Sequence, residues 1–207
     1  MAPRNSSKNL ILDKAYELVM VNGYAGTSID MILQATGLTK GAFFYHFKSK
    51  TDLGMELARR YVNQDSSKFY RIIQAVDKQM DDPLERNLVF IERLAEWYEG
   101  QTNMPGCLFA SFSYYKVSDE TALFMKKAQR KWRKFYSQRY EEIMQQYPPR
   151  IPVRSEDLAD HFMGTVEGGF VLSRIYQQPE HIAMQLRQFK NYVQLIFEPE
   201  AGQAATG

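Results

Sequence analysis

The stretch that decides the fold is residues 26–53, which read GTSIDMILQATGLTKGAFFYHFKSKTDL. Ser and Thr favour the position just before a helix, because their side-chain oxygens accept a hydrogen bond from a free backbone N–H. Thr27-Ser28 is therefore predicted to cap a helix that runs from Ile29 to about Thr36. By the same signal Thr39 is predicted to cap a second helix, from Lys40 to about Phe47.

Gly37 lies between these two helices, where glycine tolerates the left-handed backbone that ends a helix. Two short helices joined by a turn of this kind make a helix-turn-helix. The second helix of such a motif fits the major groove of DNA, which is about 12 Å wide. Spacing alone is a moderate signal, since many unrelated helical proteins contain short capped helices.

The side chains of the second helix strengthen this interpretation. Phe43 and Phe47 are four residues apart and are predicted to face a small core, because such spacing places them on one side of a helix. The remaining side chains offer hydrogen-bond donors and aromatic groups to phosphates and base edges. An ordinary structural role is open for each of them: a capping Thr, a solvated Lys, a packing Tyr. The residues predicted to face outward are Lys40, Tyr45, His46 and Lys50.

Helical signals continue on both sides of this motif. A first helix is predicted to begin after Asn5 or Ser6 and to stop at Asn22-Gly23, with Ile11, Ala15 and Leu18 buried. Ser49 is predicted to cap a fourth helix that buries Leu53, Leu57 and Tyr61 and continues past residue 65. Further helices are predicted at Pro83 to Glu99, Cys107 to Tyr115, Asp119 to Tyr147, Ser155 to Gln178 and Pro179 to Phe197.

These elements predict an all-α protein of about nine helices. A three-helix helix-turn-helix domain is expected over residues 1–50, and a larger helical domain for effector binding and dimerisation over residues 51–197. Residues 198–207 are small and polar and are expected to be a disordered tail.

Composition excludes several classes of protein. Apolar residues make up 44% and charged residues 24% of the chain, which is ordinary for a globular protein. No run approaches the roughly 18 apolar residues that a membrane span needs, so no membrane partner is expected. Residues 1–10 lack the apolar core of a secretory signal, and the single cysteine, Cys107, has no partner for a disulfide. Both features predict a cytoplasmic location.

Positive charge is concentrated in the N-terminal part of the chain, where the helix-turn-helix motif also lies. The formal net charge is +2 overall. Residues 1–60 hold eight Lys and Arg against five Asp and Glu, a net +3, and the remainder carries about −1. The first segment is therefore where a polyanion would dock. A second run of cations without any acid, residues 126–139, is interpreted as a solvated helix face, with an anionic surface as the alternative.

The stretch from Gly26 to Leu53 resembles the DNA-binding domain of TetR/AcrR-type regulators, above all in its ending from Phe44 to Lys50. The resemblance implies that Thr27, Tyr45, His46 and Lys50 grip phosphates, which set affinity and register. It also implies that Lys40, Gly41, Ala42 and Phe44 lie against base edges, which set sequence choice. With the two capping residues, the candidate DNA-binding set is Thr27, Ser28, Thr39, Lys40, Gly41, Ala42, Phe44, Tyr45, His46 and Lys50.

Two positions depart from the commoner family pattern. Ala42 stands where Ser or Thr is frequent, and Phe44 stands where Tyr is frequent, so two hydroxyl groups are missing. Apolar contact with thymine methyl groups is the natural substitute. Lys40 is then expected to be the main polar base reader, at guanine, with Arg4 and Lys8 assisting on the DNA backbone or in the minor groove.

The last two predicted helices carry apolar stripes that suit a helix bundle. Such reading heads usually act as two-fold dimers on near-palindromes, and the resemblance implies dimerisation through a four-helix bundle. Gly164 and Gly168 would let a neighbouring helix approach closely. The alternative is that both stripes pack within one subunit. The stripes are Leu158, Phe162, Thr165, Gly169, Leu172 and Tyr176, followed by Ile182, Leu186, Phe189, Val193 and Ile196.

The middle of the chain is rich in aromatic residues and methionine, and the resemblance implies a pocket for a small apolar or aromatic effector. An aromatic stripe at helical spacing is more often plain core, and that interpretation stays open for each residue. The candidate ligand-binding residues are Trp97, Met104, Cys107, Phe112, Trp132, Phe135 and Phe170.

Cys107 is predicted near the start of a short helix, where the helix dipole would raise its reactivity. Its Gly-Cys-Leu segment is similar to one in a TetR subgroup that includes sensors of electrophiles, so an electrophilic effector is one hypothesis. The alternative is a small buried hydrophobic residue.

An enzyme is not expected. The three histidines, His46, His161 and His181, fall on separate predicted helices, and no phosphate loop or nucleophile elbow occurs, so neither a metal nor a cofactor is predicted. The resemblance implies a dimeric repressor that an effector releases from its operator by tilting the long fourth helix. A ligand-independent DNA-binding protein and a transcriptional activator remain the alternatives.

Overall fold

The computed structural model describes residues 7–101, 106–113 and 117–197, and these residues form nine α-helices and no strand. The predicted all-α class is confirmed. Arg4, the start of the first helix before residue 7, and the predicted tail at 198–207 lie outside the described residues. The helices are α1 (Ser7–Gly26), α2 (Ile29–Thr36), α3 (Lys40–His46), α4 (Lys50–Asp77), α5 (Pro83–Glu99), α6 (Leu108–Ser113), α7 (Asp119–Gln146), α8 (Ser155–Tyr176) and α9 (His181–Phe197).

The described residues fall into two compact units. The first comprises the described part of Met1–Ser66 together with Gly106–Ala128, and the second comprises that of Ser67–Pro105 together with Gln129–Gly207. Helices α1, α2, α3 and α6 belong to the first unit, whereas α5, α8 and α9 belong to the second. Helices α4 and α7 contribute residues to both.

The first unit is organised around α1, which packs on α2, α3 and α6. Ile11 and Ala15 are buried as predicted, but Leu18 is only half-buried, because the inward face of the helix passes through Leu12 and Val19. The predicted end at Gly23 appears as an interruption. Gly23 has a positive φ of 75°, and one further turn follows before the helix ends at Gly26.

Helix α4 confirms the sequence prediction for its first turns. The Ser49 hydroxyl accepts a hydrogen bond of 3.1 Å from the backbone N–H of Asp52, so Ser49 caps the helix. Leu53, Leu57 and Tyr61 are all buried on one face. The helix continues past residue 65, as expected, and ends at Asp77.

In the second unit α9 packs on both α5 and α8. Gly169 of α8 is the point of closest approach, because a Cβ added there would lie 2.8 Å from the Cα of Ile182. Ion pairs join α5 to α9: Glu92 accepts hydrogen bonds from Lys190 (2.9 Å) and Arg187 (2.8 Å). These two bonds lower the pKa of Glu92 below its ordinary value.

The predicted capping role of Ser155 is wrong. Arg154 occupies the N-cap position without a side-chain cap, and Ser155 is the first helical residue of α8. The Ser155 hydroxyl is buried and lies 3.0 Å from that of Ser137 on α7. This hydrogen-bond partner is therefore on another helix, and not a backbone N–H of the first turn as the local pattern predicted.

None of the helices in the described residues is long and apolar enough to cross a membrane.

The close packing at Gly169 gives a test of the second unit. We expect Gly169→Ala to lower the free energy of unfolding by about 1–3 kcal/mol, because the added methyl group would overlap Ile182. Chemical denaturation of the full chain measures this change. Gly100→Ala is the matched control, since Gly100 already has helical angles and room for a Cβ. The control should be neutral or slightly stabilising, and equal losses in both variants would contradict the packing argument.

Candidate nucleic-acid interface

The helix-turn-helix has the local geometry that its sequence predicted. Ser28 caps α2 by accepting a hydrogen bond from the backbone N–H of Met31 (3.1 Å), and Thr39 caps α3 by accepting one from Ala42 (3.2 Å). Gly37 has the left-handed angles φ 68° and ψ 14°, and its N–H bonds to the carbonyl of Leu33. A residue with a side chain is strained in this conformation, so glycine at this position sets the turn between the helices.

Aromatic packing fixes the orientation of α3. Phe43 and Phe47 are buried as predicted, with ring centroids 5.6 Å apart. Ile32 of α2 and Ile11 of α1 are buried in the same unit. Since α3 has only seven residues, this packing rather than its own hydrogen bonds must hold it in place.

The opposite side of α3 faces solvent. Tyr45 is 84% exposed and Phe44 is 51% exposed, which is unusual for aromatic side chains in a folded protein. Lys40 and Gly41 are also exposed, and Ala42 is half-buried. The outward face therefore combines a cation, a phenol, an apolar ring and two positions with little or no side chain, which allows close approach of another surface.

Several of the predicted contact residues already have partners within the chain. The ammonium of Lys40 lies 3.2 Å from a carboxylate oxygen of Asp30, but both side chains are exposed, so the pair contributes about 0–1 kcal/mol and is easily exchanged. His46 Nε2 and the Ser7 hydroxyl share a hydrogen bond of 2.6 Å, which holds the imidazole against the start of α1. Lys8, an assisting residue by prediction, pairs with Glu56 at 3.1 Å.

Thr27 differs from the expectation. Its side chain is only 1% exposed, and its hydroxyl donates a hydrogen bond of 2.9 Å to the carbonyl of Gly23. That hydroxyl therefore has no exposed surface to offer a phosphate, and it joins the end of α1 to the start of α2. Ser28, the next residue in the chain, is exposed. Thr39, the N-cap residue of α3, is exposed as well.

Lys50 is held more firmly than the other cations of this surface. Its Nζ lies 4.7 Å from the centroid of the Tyr24 ring and donates a hydrogen bond of 3.3 Å to the carbonyl of Ala25. Partial burial lowers the pKa of Lys50 below its ordinary value. The ammonium is consequently fixed in direction at the first turn of α4.

Sequence reasoning missed two residues of this site. Lys48 is exposed, and its side chain has no ion-pair partner among the residues that the structure describes; its place in Lys48-Ser49-Lys50 was the available signal. Tyr24 was missed because an aromatic residue at the end of a helix carries no distinctive local pattern. It is buried and supports Lys50 from beneath.

The candidate effector residues divide between the two units. Cys107 and Phe112 belong to the first unit and are buried, and Cys107 Sγ accepts a hydrogen bond of 3.5 Å from the Tyr61 hydroxyl. Met104 lies outside the described residues. The remaining candidates belong to the second unit: Trp97, Trp132, Phe135 and Phe170.

An aromatic stack in the second unit contains Trp132. The Trp132 ring lies between Tyr70 (centroids 5.3 Å apart) and Tyr136 (5.8 Å), and both pairs are nearly parallel. Phe135 stands edge-on to Trp132 at 6.0 Å. Tyr70, Trp132 and Phe135 are half-buried, whereas Tyr136 is buried and its pKa is raised well above the ordinary value by that burial. The stack thus runs from a partly exposed surface into the core.

Residues 11–57, the segment that contains this interface, match the family model described as "Bacterial regulatory proteins, tetR family". The chain is 26% identical over 106 residues to the uncharacterised HTH-type transcriptional regulator YxaF of Bacillus subtilis, covering 51% of this chain and 54% of that protein. It is 21% identical over 183 residues to the HTH-type transcriptional repressor DhaR of a Mycobacterium species, covering 86% of this chain and 87% of that protein.

The fold is likewise similar to solved structures. A TetR-family transcriptional regulator from Agrobacterium tumefaciens superposes with a TM-score of 0.75 at 22% identity, covering 91% of this chain and 97% of that one. The likeness therefore extends through both compact units, well beyond the segment that matches the family model.

Proposed function

Because the chain belongs to the TetR family of transcriptional regulators, we propose that it is a ligand-responsive repressor that binds a near-palindromic operator as a homodimer. It is a DNA-binding regulator and not an enzyme. The observation that carries the proposal is the exposed face of α3, held outward by the buried pair Phe43 and Phe47. Action on a bacterial operator would take place in the cytoplasm, with residues 1–50 as the DNA-reading domain.

The proposed contacts follow from exposure and charge. Lys40 leaves its weak pair with Asp30 to donate to a guanine, and Gly41, Ala42 and Phe44 lie against base edges and thymine methyl groups. Phosphates are gripped by the exposed and partly exposed donors that flank these residues. The phosphate set is Tyr45, His46, Lys48 and Lys50, with Ser28 and Thr39 beside it; burial of Thr27 removes that side chain from the set.

Homodimerisation is proposed through a face of α8 and α9 that the chain does not cover itself. The stripes expected from the sequence to meet a partner are mostly buried inside the second unit, α9 entirely so, which favours the alternative of packing within one subunit. The exposed face lies elsewhere: Gly164, Gly168, Val171 and Ile175 follow one another at spacings of four, three and four on α8. Ile175 is 66% exposed, and Leu195 on α9 is 69% exposed.

Two such helices in one protomer would form a four-helix bundle with the same pair in a second protomer. A Cβ added at Gly164 or Gly168 would meet nothing within 4 Å, so a partner helix can approach the α8 backbone there. Apolar side chains this exposed are uncommon on the surface of a monomer when they share one face. The dimer would then set the distance between the two reading heads.

The effector is proposed to be a small apolar or aromatic molecule. TetR-family regulators are often repressors with small-molecule ligands. The half-buried Tyr70–Trp132–Phe135 cluster offers ring faces to such a compound. To release the operator, the effector must bind the DNA-incompetent state more tightly than the DNA-bound state, since only differential affinity shifts the equilibrium. Helix α4 passes from Lys50 into the second unit and is the proposed element that tilts.

An electrophilic effector is proposed to act at Cys107. The thiol accepts a hydrogen bond from the Tyr61 hydroxyl, and such a bond stabilises the thiolate that an electrophile attacks. Cys107 is buried at the start of α6, so an adduct there would have to displace neighbouring side chains of that helix.

The DNA-reading proposal is tested by selecting bound fragments from random duplex DNA and then comparing two lysine variants. Lys40→Ala should relax sequence choice and weaken the selected site by about 1–3 kcal/mol, because a base contact is lost. Lys48→Ala should weaken all duplexes alike and reduce the salt dependence of log K by about 0.9, because a phosphate contact is lost. Lys78→Ala, an exposed lysine of the second unit, is the control. Failure of the wild-type protein to bind any duplex at low salt would refute the proposal.

The dimer face is tested by Ile175→Glu. A buried unpaired carboxylate in each copy should dissociate the dimer in sedimentation experiments and lower operator affinity with it. Leu123→Glu on α7 is the matched control, because Leu123 is 52% exposed and lies outside the proposed face. A dimer that persists in Ile175→Glu would place the interface elsewhere.

The electrophile proposal is tested with N-ethylmaleimide on the operator complex. The wild-type protein should release DNA, and Cys107→Ser should not, since the chain has a single cysteine and no other thiol can react. Normal release from Cys107→Ser would end this part of the proposal without touching DNA binding itself.

A further inference from the structure

Tyr24 joins α6 to the start of α4. It follows the interruption at Gly23 in α1, is buried, and lies with both neighbours in the first compact unit. Its backbone N–H donates a hydrogen bond of 3.1 Å to the hydroxyl of Ser111 on α6. Its ring meets that of Phe112 edge-on, with centroids 4.8 Å apart. Its hydroxyl donates a hydrogen bond of 2.9 Å to the backbone carbonyl of Lys50.

Lys50 is held from both ends by the same short segment. Tyr24 binds its backbone carbonyl and supports its ammonium, whose Nζ lies 4.7 Å from the Tyr24 ring centroid. The carbonyl of Ala25 accepts a hydrogen bond from that Nζ at 3.3 Å. A movement of residues 24 and 25 relative to α4 would therefore change both the anchoring and the direction of the Lys50 side chain.

The Tyr24 side chain packs directly on the backbone of α4 at Gly54. A Cβ added at Gly54 would lie 2.7 Å from the Tyr24 hydroxyl oxygen and 3.0 Å from two ring carbons. The Tyr24 side chain is thus seated on bare backbone in the first turns of the helix. Burial raises the pKa of Tyr24, so its hydroxyl retains the proton that it donates to Lys50.

We propose that Tyr24 is a positioning residue that couples α6 to Lys50, so that a displacement of α6 withdraws the Lys50 ammonium from its DNA phosphate. The two contacts with Ser111 and Phe112 carry the displacement to Tyr24, and the two contacts with Lys50 pass it on. This inference rests on the proposed function, because it assigns Lys50 a phosphate in the operator complex.

The coupling is tested by a double-mutant cycle on the full chain with one selected duplex. Tyr24→Phe removes the hydroxyl that binds the Lys50 carbonyl, and Lys50→Met removes the ammonium while keeping much of the apolar stem. Each single variant should weaken binding and reduce the salt dependence of log K, by up to about 0.9 when one phosphate contact is lost. In the Lys50→Met background, Tyr24→Phe should have no further effect on either quantity.

Helix α6 provides a matched pair of variants for the other end of the coupling. Ser111→Ala removes the acceptor of the Tyr24 N–H and should reduce operator affinity and its salt dependence in the same way as Tyr24→Phe. Ser113→Ala removes an exposed hydroxyl on the same helix that bonds only to the Phe109 carbonyl in the described structure, and it should leave both quantities unchanged. Because Ser111→Ala is a small change away from Lys50, it keeps the test valid should Tyr24→Phe fold poorly.

The outcomes separate this inference from the function on which it rests. A wild-type chain that retards no duplex would overturn both. A wild-type chain that binds its selected duplex, with Tyr24→Phe and Lys50→Met losses that add in full, would overturn the coupling alone. Equal effects of Ser111→Ala and Ser113→Ala on operator affinity and its salt dependence would also overturn the coupling alone. If Tyr24→Phe has no effect on DNA binding in the Lys50→Met background, the coupling is supported. A Tyr24→Phe effect caused by a general loss of stability would still be seen in that background.

Discussion

Burial of the aromatic pair Phe43 and Phe47 is the constraint on which the reading surface depends. An isolated helix shorter than about 12 residues is marginal in water, and α3 has seven, so α3 exists in this form only while the pair is packed. With 3.6 residues per turn, fixing positions 43 and 47 inward leaves positions 41 and 45 on the opposite side and position 44 beside them. Lys40 falls on the same side as the pair by this count, and it is exposed because it is the first residue of the helix. The surface that we propose to meet DNA is therefore a consequence of what its opposite side buries.

Local signals predicted most of this part of the molecule. The caps at Ser28 and Thr39 and the glycine turn at Gly37 each depend on a few neighbouring atoms, so a short stretch of sequence determines them. The periodicity of Leu53, Leu57 and Tyr61 was equally sufficient for the buried face of α4. Element type and position follow from such patterns because the forces that set them act within one or two turns.

What the sequence could not predict depends on contacts between distant residues. Ser155 looks like an exposed capping residue, yet it is buried and its hydroxyl lies 3.0 Å from that of Ser137 on another helix. Thr27 is also buried, although its hydroxyl bonds to the carbonyl of Gly23, only four residues earlier. The stripes on α8 and α9 show the same limit. Helical periodicity identifies an apolar face, but a face that meets the chain's own core and one that meets a second copy have the same spacing. Only the packed structure shows that Ile182 and Leu186 are used internally while Ile175 and Leu195 are left exposed.

The lysines of the reading surface differ in how firmly the protein holds them, and this difference suits their proposed tasks. Lys50 is held before DNA arrives, so the side-chain entropy that its phosphate contact would cost has already been lost during folding. Within the described part of the chain Lys40 has only an exposed pair with Asp30, and it can adjust to the bases presented to it. A fixed charge sets register on a backbone that repeats along the duplex, whereas sequence choice needs a donor that can find its acceptor. Whether a lysine sets the register or the sequence specificity would then depend on its neighbours in the structure and not on its residue type.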